Sequence, residues 1–248
     1  MQLILASSSP TRKKILESLG LDFKVIPSHI DEGKISATNP KLLVQKIAKA
    51  KCEAVFRKST NQLINQSSNQ LQESSHARHS ELGSESPVIK ILKSIKKENR
   101  QVHNNTMSTD AKLILAADSM VVLGNQTIGK PKDKKEAKQI LKQLSGKTHS
   151  FITGLYLINT KTNKAWQKLA ETKVTFRNLS NEEIDDYISK TDVTRFAGGY
   201  AIIPPEDFNL KTIKNNKSNI IKKISGSITN VMGLPIEILL LILKENGV

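Results

Sequence analysis

Short apolar runs alternate along this chain with polar stretches rich in caps and turns. Leu3 to Ala6 is apolar throughout and too short for a helix, so it predicts a strand. Ser7-Ser8-Ser9-Pro10 follows, with Ser9 placed to cap a helix and Pro10 suited to its first position. Ile15, Leu16 and Leu19 give that helix an apolar face, and Gly20 ends it. Phe23 to Ile26 predicts a second strand, leading to Ile30-Asp31-Glu32. Pro40 opens another helix, predicted to bury Leu43, Ile47, Ala50 and Ala54 and to turn Lys46, Lys49 and Lys51 elsewhere. Leu113 to Ala117 reads as a strand ending in Asp118, and Met120 to Leu123 continues it. Gly124-Asn125 is a turn, with Gln126 to Ile128 as the returning arm of a hairpin. Asp133 caps a helix carrying Ala137, Ile140, Leu141 and Leu144, which Gly146 terminates. Residues 149–158 and 168–176 predict strands, and Ser180 with Glu183 forms a capping box before Ile184 and Tyr187. A loop and an apolar helix fill 228–243. Strands interleaved with helices in this way predict an α/β fold, a mixed sheet with flanking helices.

Two tracts depart from the pattern. Between 59 and 108, Ser, Asn and Gln fill 21 of 50 positions, too polar to form a core alone. This segment is expected to be a flexible insert, with one short amphipathic helix through Val88, Ile91, Leu92 and Ile95. Residues 209–223 predict a second polar loop, rich in lysine and without an acid. The organisation expected is one domain over 1–248, interrupted by these two tracts.

Composition narrows the classes. The single cysteine, Cys52, excludes an internal disulfide framework and a cysteine-rich zinc site, and reads as a small packed residue. The run Ile236 to Leu243 is too short to span a bilayer and contains Glu237, and the first ten residues lack a basic leader, so a cytoplasmic protein without membrane contact is expected. The net charge of +15 fits an anionic substrate, nucleic acid, or a lysine-rich composition without function.

Gly124 to Pro131, GNQTIGKP, matches seven of the eight positions of a phosphate-binding P-loop. Pro131 offers neither hydroxyl nor N–H and disfavours helical geometry at Lys130, so the stretch reads as a hairpin instead. Three other features suit phosphate. Ser7, Ser8, Ser9 and Arg12 cluster at a helix start, where free N–H groups and the helix dipole favour an anion. Asp118, and Asp31-Glu32, follow strands and could hold Mg²⁺ or activate water. Lys51 and Lys130 could neutralise developing charge. Each has a plainer reading as a cap, a turn or a solvated lysine. His149 and the other histidines show no metal spacing, and His149 reads as structural.

The order LASSSPTRKKILESLG, IDE, IAKAK, AADSMVV, GKPKD, LSGKTHSFITG, AGGY, NVMGLP resembles the Maf family of nucleotide pyrophosphatases, also called septum-formation inhibitor-like proteins. The resemblance implies an elongated mixed sheet with two α/β lobes around a central cleft. It implies hydrolysis of a nucleoside triphosphate to monophosphate and pyrophosphate with a divalent metal, Mg²⁺ or Mn²⁺. The implied substrates are dTTP, UTP or modified nucleotides, and a link to arrest of septum formation comes with the family. The partner expected is the nucleoside triphosphate; a homodimer is compatible with this reading, and nucleic acid is not favoured as a partner. Asp118 matches the proton acceptor, and Glu32 with Asp118 the metal ligands. Lys51 and Lys130 match the phosphate-clamp lysines, and Ser7, Ser9 and Arg12 the phosphate-binding turn. Thr11, Ser119 and Ile203 stand at the positions tied to base choice, where the dTTP/UTP type has arginine, threonine and glutamine. Against the enzyme stands one competing expectation, a basic nucleic-acid-binding regulator that kept the fold and lost turnover.

Overall fold

A computed structural model describes residues 1–75, 112–202 and 219–248, with the side chains of 59–75 excepted. Ile203 and the expected helix near Val88 lie outside the described residues. Seven strands form one mixed sheet: β1 (Gln2–Leu5), β2 (Phe23–Val25), β3 (Lys112–Leu123), β4 (Gln126–Ile128), β5 (Thr148–Asn159), β6 (Ala165–Phe176) and β7 (Ile221–Ser225). The order is β2-β1-β3-β5-β6-β7, with β4 also on β3. β1 runs parallel to β2 and β3, and the other pairings are antiparallel. The helices are α1 (Pro10–Ser18), α2 (Pro40–Ser75), α3 (Lys134–Leu144), α4 (Asn181–Lys190), α5 (Ile228–Val231) and α6 (Ile236–Glu245). The mixed α/β architecture expected from the alternation is present.

Strand periodicity sorts the side chains between the two faces of the sheet. Leu3, Leu5, Leu113, Leu115 and Ala117 join Ile15 and Leu16 of α1 and the buried residues of α3, α4 and α6 in the main core. Ile4, Ala6, Ile114 and Ala116 face the other way, onto Ala48, Cys52 and Val55 of α2. Gly154 of β5 lets α2 lie this close: a Cβ there would stand 2.6 Å from the backbone of Val44 and Gln45.

The local signals held where they rested on caps. Ser9 accepts from the Arg12 N–H, Asp133 from Glu136, and the Ser180–Glu183 capping box is complete. Gly124-Asn125 makes the expected two-residue hairpin turn between β3 and β4.

Three expectations are corrected. The buried face of α2 is Val44, Ile47, Ala48, Lys51, Cys52 and Val55, one position round from the face predicted, and it includes Lys51. That helix also continues past 59 to Ser75, because no proline or glycine between Lys41 and Ser75 interrupts it. Residues 221–223, read as polar loop, belong to β7, which pairs with β6 at the sheet edge. Its lysines and a register shift between Thr175 and Phe176 hid it, and exposed lysines are a usual feature of edge strands.

Buried His149 shares a 2.7 Å hydrogen bond between Nε2 and the Tyr200 hydroxyl, with Phe176 packed edge-on. Burial pushes its pKa down to about 4. The fold therefore favours neutral imidazole, while the unfolded chain takes up a proton near pH 6.5. Stability from this site is full above pH 6.5 and declines as pH falls towards 4, by on the order of 3 kcal/mol. Urea midpoints across that range should fall, and His149→Gln, which keeps a polar partner for Tyr200 without titrating, should flatten the decline.

Candidate active site

The site lies where one edge of β3 changes partner. β1 pairs with Lys112 to Leu115, and β4 pairs with Val121 to Leu123 on the same side. Among the described residues no strand covers that edge between them. The chain leaving β1 there enters Ser7-Ser8-Ser9 and α1, and the chain leaving β4 enters Gly129-Lys130. Asp118 and Ser119 sit in the interval, so the serine turn, basic residues and acidic residues converge without being near in sequence.

Alternation along β3 sends these two neighbours to opposite faces. Asp118 shares the face of Ile114 and Ala116, under α2, where the Lys51 ammonium donates to its Oδ1 at 2.7 Å. The same ammonium lies 2.9 Å from Glu32 Oε1, so one lysine bridges both carboxylates. Ser119 turns to the α1 face and accepts from Arg12 Nη2 at 3.2 Å. It also shares a 2.9 Å hydrogen bond with Thr153.

Arg12 is buried, and all three nitrogens of its guanidinium are used. Nε donates to the Gly233 carbonyl at 2.8 Å and Nη1 to Ser7 Oγ at 3.2 Å. Ser7 also accepts from the Ser9 N–H, and Ser9 caps α1. Both hydroxyls thus shape the turn, whereas Ser8 is exposed in the cleft. Asp31 caps a 3-10 turn at Glu32–Lys34 by accepting from Gly33, which leaves Glu32 as the acid of the IDE stretch that reaches Lys51.

Lys130 joins Ser7, Arg12, Glu32, Lys51, Asp118 and Ser119 in lining one cleft of about 490 Å³. Its segment is fixed by a 2.8 Å hydrogen bond from the Gly198 N–H to the Gly129 carbonyl. GKPKD and AGGY are therefore one structural unit. Buried Thr11 lines the cleft too.

The charges perturb one another. Burial lifts the Asp118 pKa above the usual carboxylate value; Lys51 and Arg12 oppose the rise, and Glu32 adds to it. For Glu32 burial acts in the same upward direction, but Lys51, Lys130 and Arg12 outweigh it and hold the group below its ordinary value. Burial, then repulsion from Lys51 and Arg12, lowers the Lys130 pKa. Two carboxylates that share one lysine thus diverge, one more basic and one more acidic than usual.

Among the described residues no group of three or more His, Cys, Asp and Glu could hold a metal. Lys51 takes one oxygen of each carboxylate, Oδ1 and Oε1, leaving a second oxygen on each. Two carboxylates beside a helix start that favours anions are a donor set Mg²⁺ accepts when it comes with a polyphosphate. The residues fit a substrate-borne divalent cation rather than a closed protein site.

The sequence missed what holds Arg12. Gly233, with φ +94°, presents its carbonyl to the guanidinium. Asn230 ties the same loop to β5 and β6, donating to the Phe151 carbonyl and to Thr172 Oγ1, each at 3.0 Å. NVMGLP signalled a turn, but nothing in it signalled the partner.

The model of the Maf-like protein family matches residues 2–246. The dTTP/UTP pyrophosphatase of Aquifex aeolicus (strain VF5) is 34% identical, over 99% of this chain and 95% of the relative. That of Thermosipho africanus (strain TCF52B) is also 34% identical, over 100% and 94%. That of Clostridioides difficile (strain 630) is 31% identical, over 99% and 95%.

Proposed function

The chain belongs to the Maf-like family, and on that premise we propose that it hydrolyses nucleoside triphosphates, dTTP and UTP foremost, to monophosphate and pyrophosphate. The observation that carries this reading is the Lys51 ammonium, bridging Asp118 and Glu32 in the cleft that also holds the α1 start and Lys130.

In this reading the triphosphate lies against the start of α1, where backbone N–H groups and the dipole favour anions. Arg12, already fixed by Gly233, Ser7 and Ser119, needs little reorganisation to meet charge there. Asp118, made more basic by burial, takes a proton from the attacking water, and Lys51 holds its carboxylate in place. Lys130 and Arg12 neutralise the leaving pyrophosphate. A divalent cation, held by Glu32 and Asp118 with substrate oxygens, would supply further charge neutralisation.

A panel of nucleoside triphosphates with Mg²⁺ and with Mn²⁺, its products resolved, tests the reading. Monophosphate plus pyrophosphate is expected, from dTTP and UTP first. Diphosphate plus phosphate would contradict it. No turnover together with salt-dependent binding to duplex DNA would favour a silent basic regulator instead.

A further inference from the structure

The residues suited to phosphate leave part of the cleft lining without a role. That part includes Phe151, Tyr200 and Phe196. The first two are already committed: Phe151 and Tyr200 are 3% and 1% exposed and pack edge-on against each other, and Tyr200 also packs against His149 and Phe176. Phe196 differs. It is half-buried and, among the described residues, makes no ring contact. It joins two 3-10 turns, Val193–Arg195 and Ala197–Gly199. Buried Val193 and Ala197 anchor it on either side.

Its position is also tied to the phosphate end. Gly198, two residues on, donates to the Gly129 carbonyl, next to Lys130. Gly198 and Gly199 hold φ near +70°, and a Cβ on Gly198 would come within 2.7 Å of Val121 Cγ2. The turn therefore packs closely on β3 and requires glycine at this position. Lys130 and an aromatic ring without ring partners among the described residues thus sit on two linked turns that line one cleft.

We propose that Phe196 is the base-stacking residue of this enzyme, its ring forming the platform on which the nucleobase lies while Arg12 and Lys130 hold the triphosphate. This rests on the nucleotide reading of the same cleft. Arg195, next to Phe196 in sequence, is exposed and also lines the cleft, and a guanidinium is suited to the carbonyl oxygens of a base edge. Stacking uses the π-face that every base has, so it adds affinity without choosing among bases. Base choice is then left to contacts with the base edge, and the platform raises affinity for every base alike.

Calorimetry with a non-hydrolysable α,β-methylene UTP, its guanosine counterpart and inorganic triphosphate, each with Mg²⁺, separates base from phosphate. Phe196→Ala is expected to weaken both nucleotides roughly 5- to 150-fold, by similar factors. Inorganic triphosphate should bind as before, and Phe196→Trp should keep nucleotide affinity. Unchanged nucleotide affinity in Phe196→Ala would overturn the proposal and leave the pyrophosphatase reading standing. Equal weakening of nucleotide and inorganic triphosphate would also overturn it, marking Phe196 as a support of the turn. A parent protein that binds neither ligand would overturn the nucleotide reading and the stacking role together.

Discussion

Asp118→Asn is expected to lower kcat by about 10² to 10⁴ while leaving the protein folded. That range is what a positioned general base contributes. The amide keeps the shape of the side chain and an oxygen for Lys51 but cannot accept the proton of water. Loss should fall on kcat and kcat/KM together, since the missing interaction belongs to the transition state. Stability should change little: burial disfavours the charged carboxylate, and Lys51 retains Glu32 at 2.9 Å. The parent's rate should also fall in acid as Asp118 takes a proton. Because burial raises that pKa, the acid limb of kcat/KM should lie above the ordinary carboxylate range. An Asp118→Asn rate within tenfold of the parent would reduce Asp118 to a partner for Lys51.

Lys51→Met should cost both activity and stability. Lys51 and Asp118 are each 7% exposed, and removing Lys51 strands the Asp118 charge in the interior. Breaking a buried pair in this way costs about 3 kcal/mol or more, part of it relieved as Asp118 takes up a proton. Residual activity should therefore show its acid limb at higher pH than the parent. The double variant Asp118→Asn with Lys51→Met removes both charges, and should be more stable than the sum of the single losses predicts. Urea unfolding of the four proteins reads this coupling. Additive losses would show that the 2.7 Å contact contributes nothing to stability.

Much of the fold was legible because its signals are local. Ser9-Pro10, Asp133 and the Ser180–Glu183 pair fix helix starts through hydrogen bonds within four residues. Gly124-Asn125 closes a hairpin for the same reason. What failed depended on distant partners. The face of α2 turned one position because Asp118 and Glu32, 67 and 19 residues away in sequence, pull Lys51 inward. β7 was lost in its lysines because an edge strand buries little. In the site, the motif lysines and carboxylates could be named from the sequence. The carbonyl of Gly233 that seats Arg12 could not, since a backbone acceptor has no side-chain signature.

Hydrolysis in ¹⁸O-labelled water identifies the phosphorus that water attacks. If Asp118 activates water for attack at the α-phosphorus, one ¹⁸O should appear in the nucleoside monophosphate and none in pyrophosphate, with Asp118→Asn nearly silent. Label in pyrophosphate would mean attack at the β-phosphorus, and would contradict the placement of Asp118, Lys51 and Arg12 proposed for this cleft.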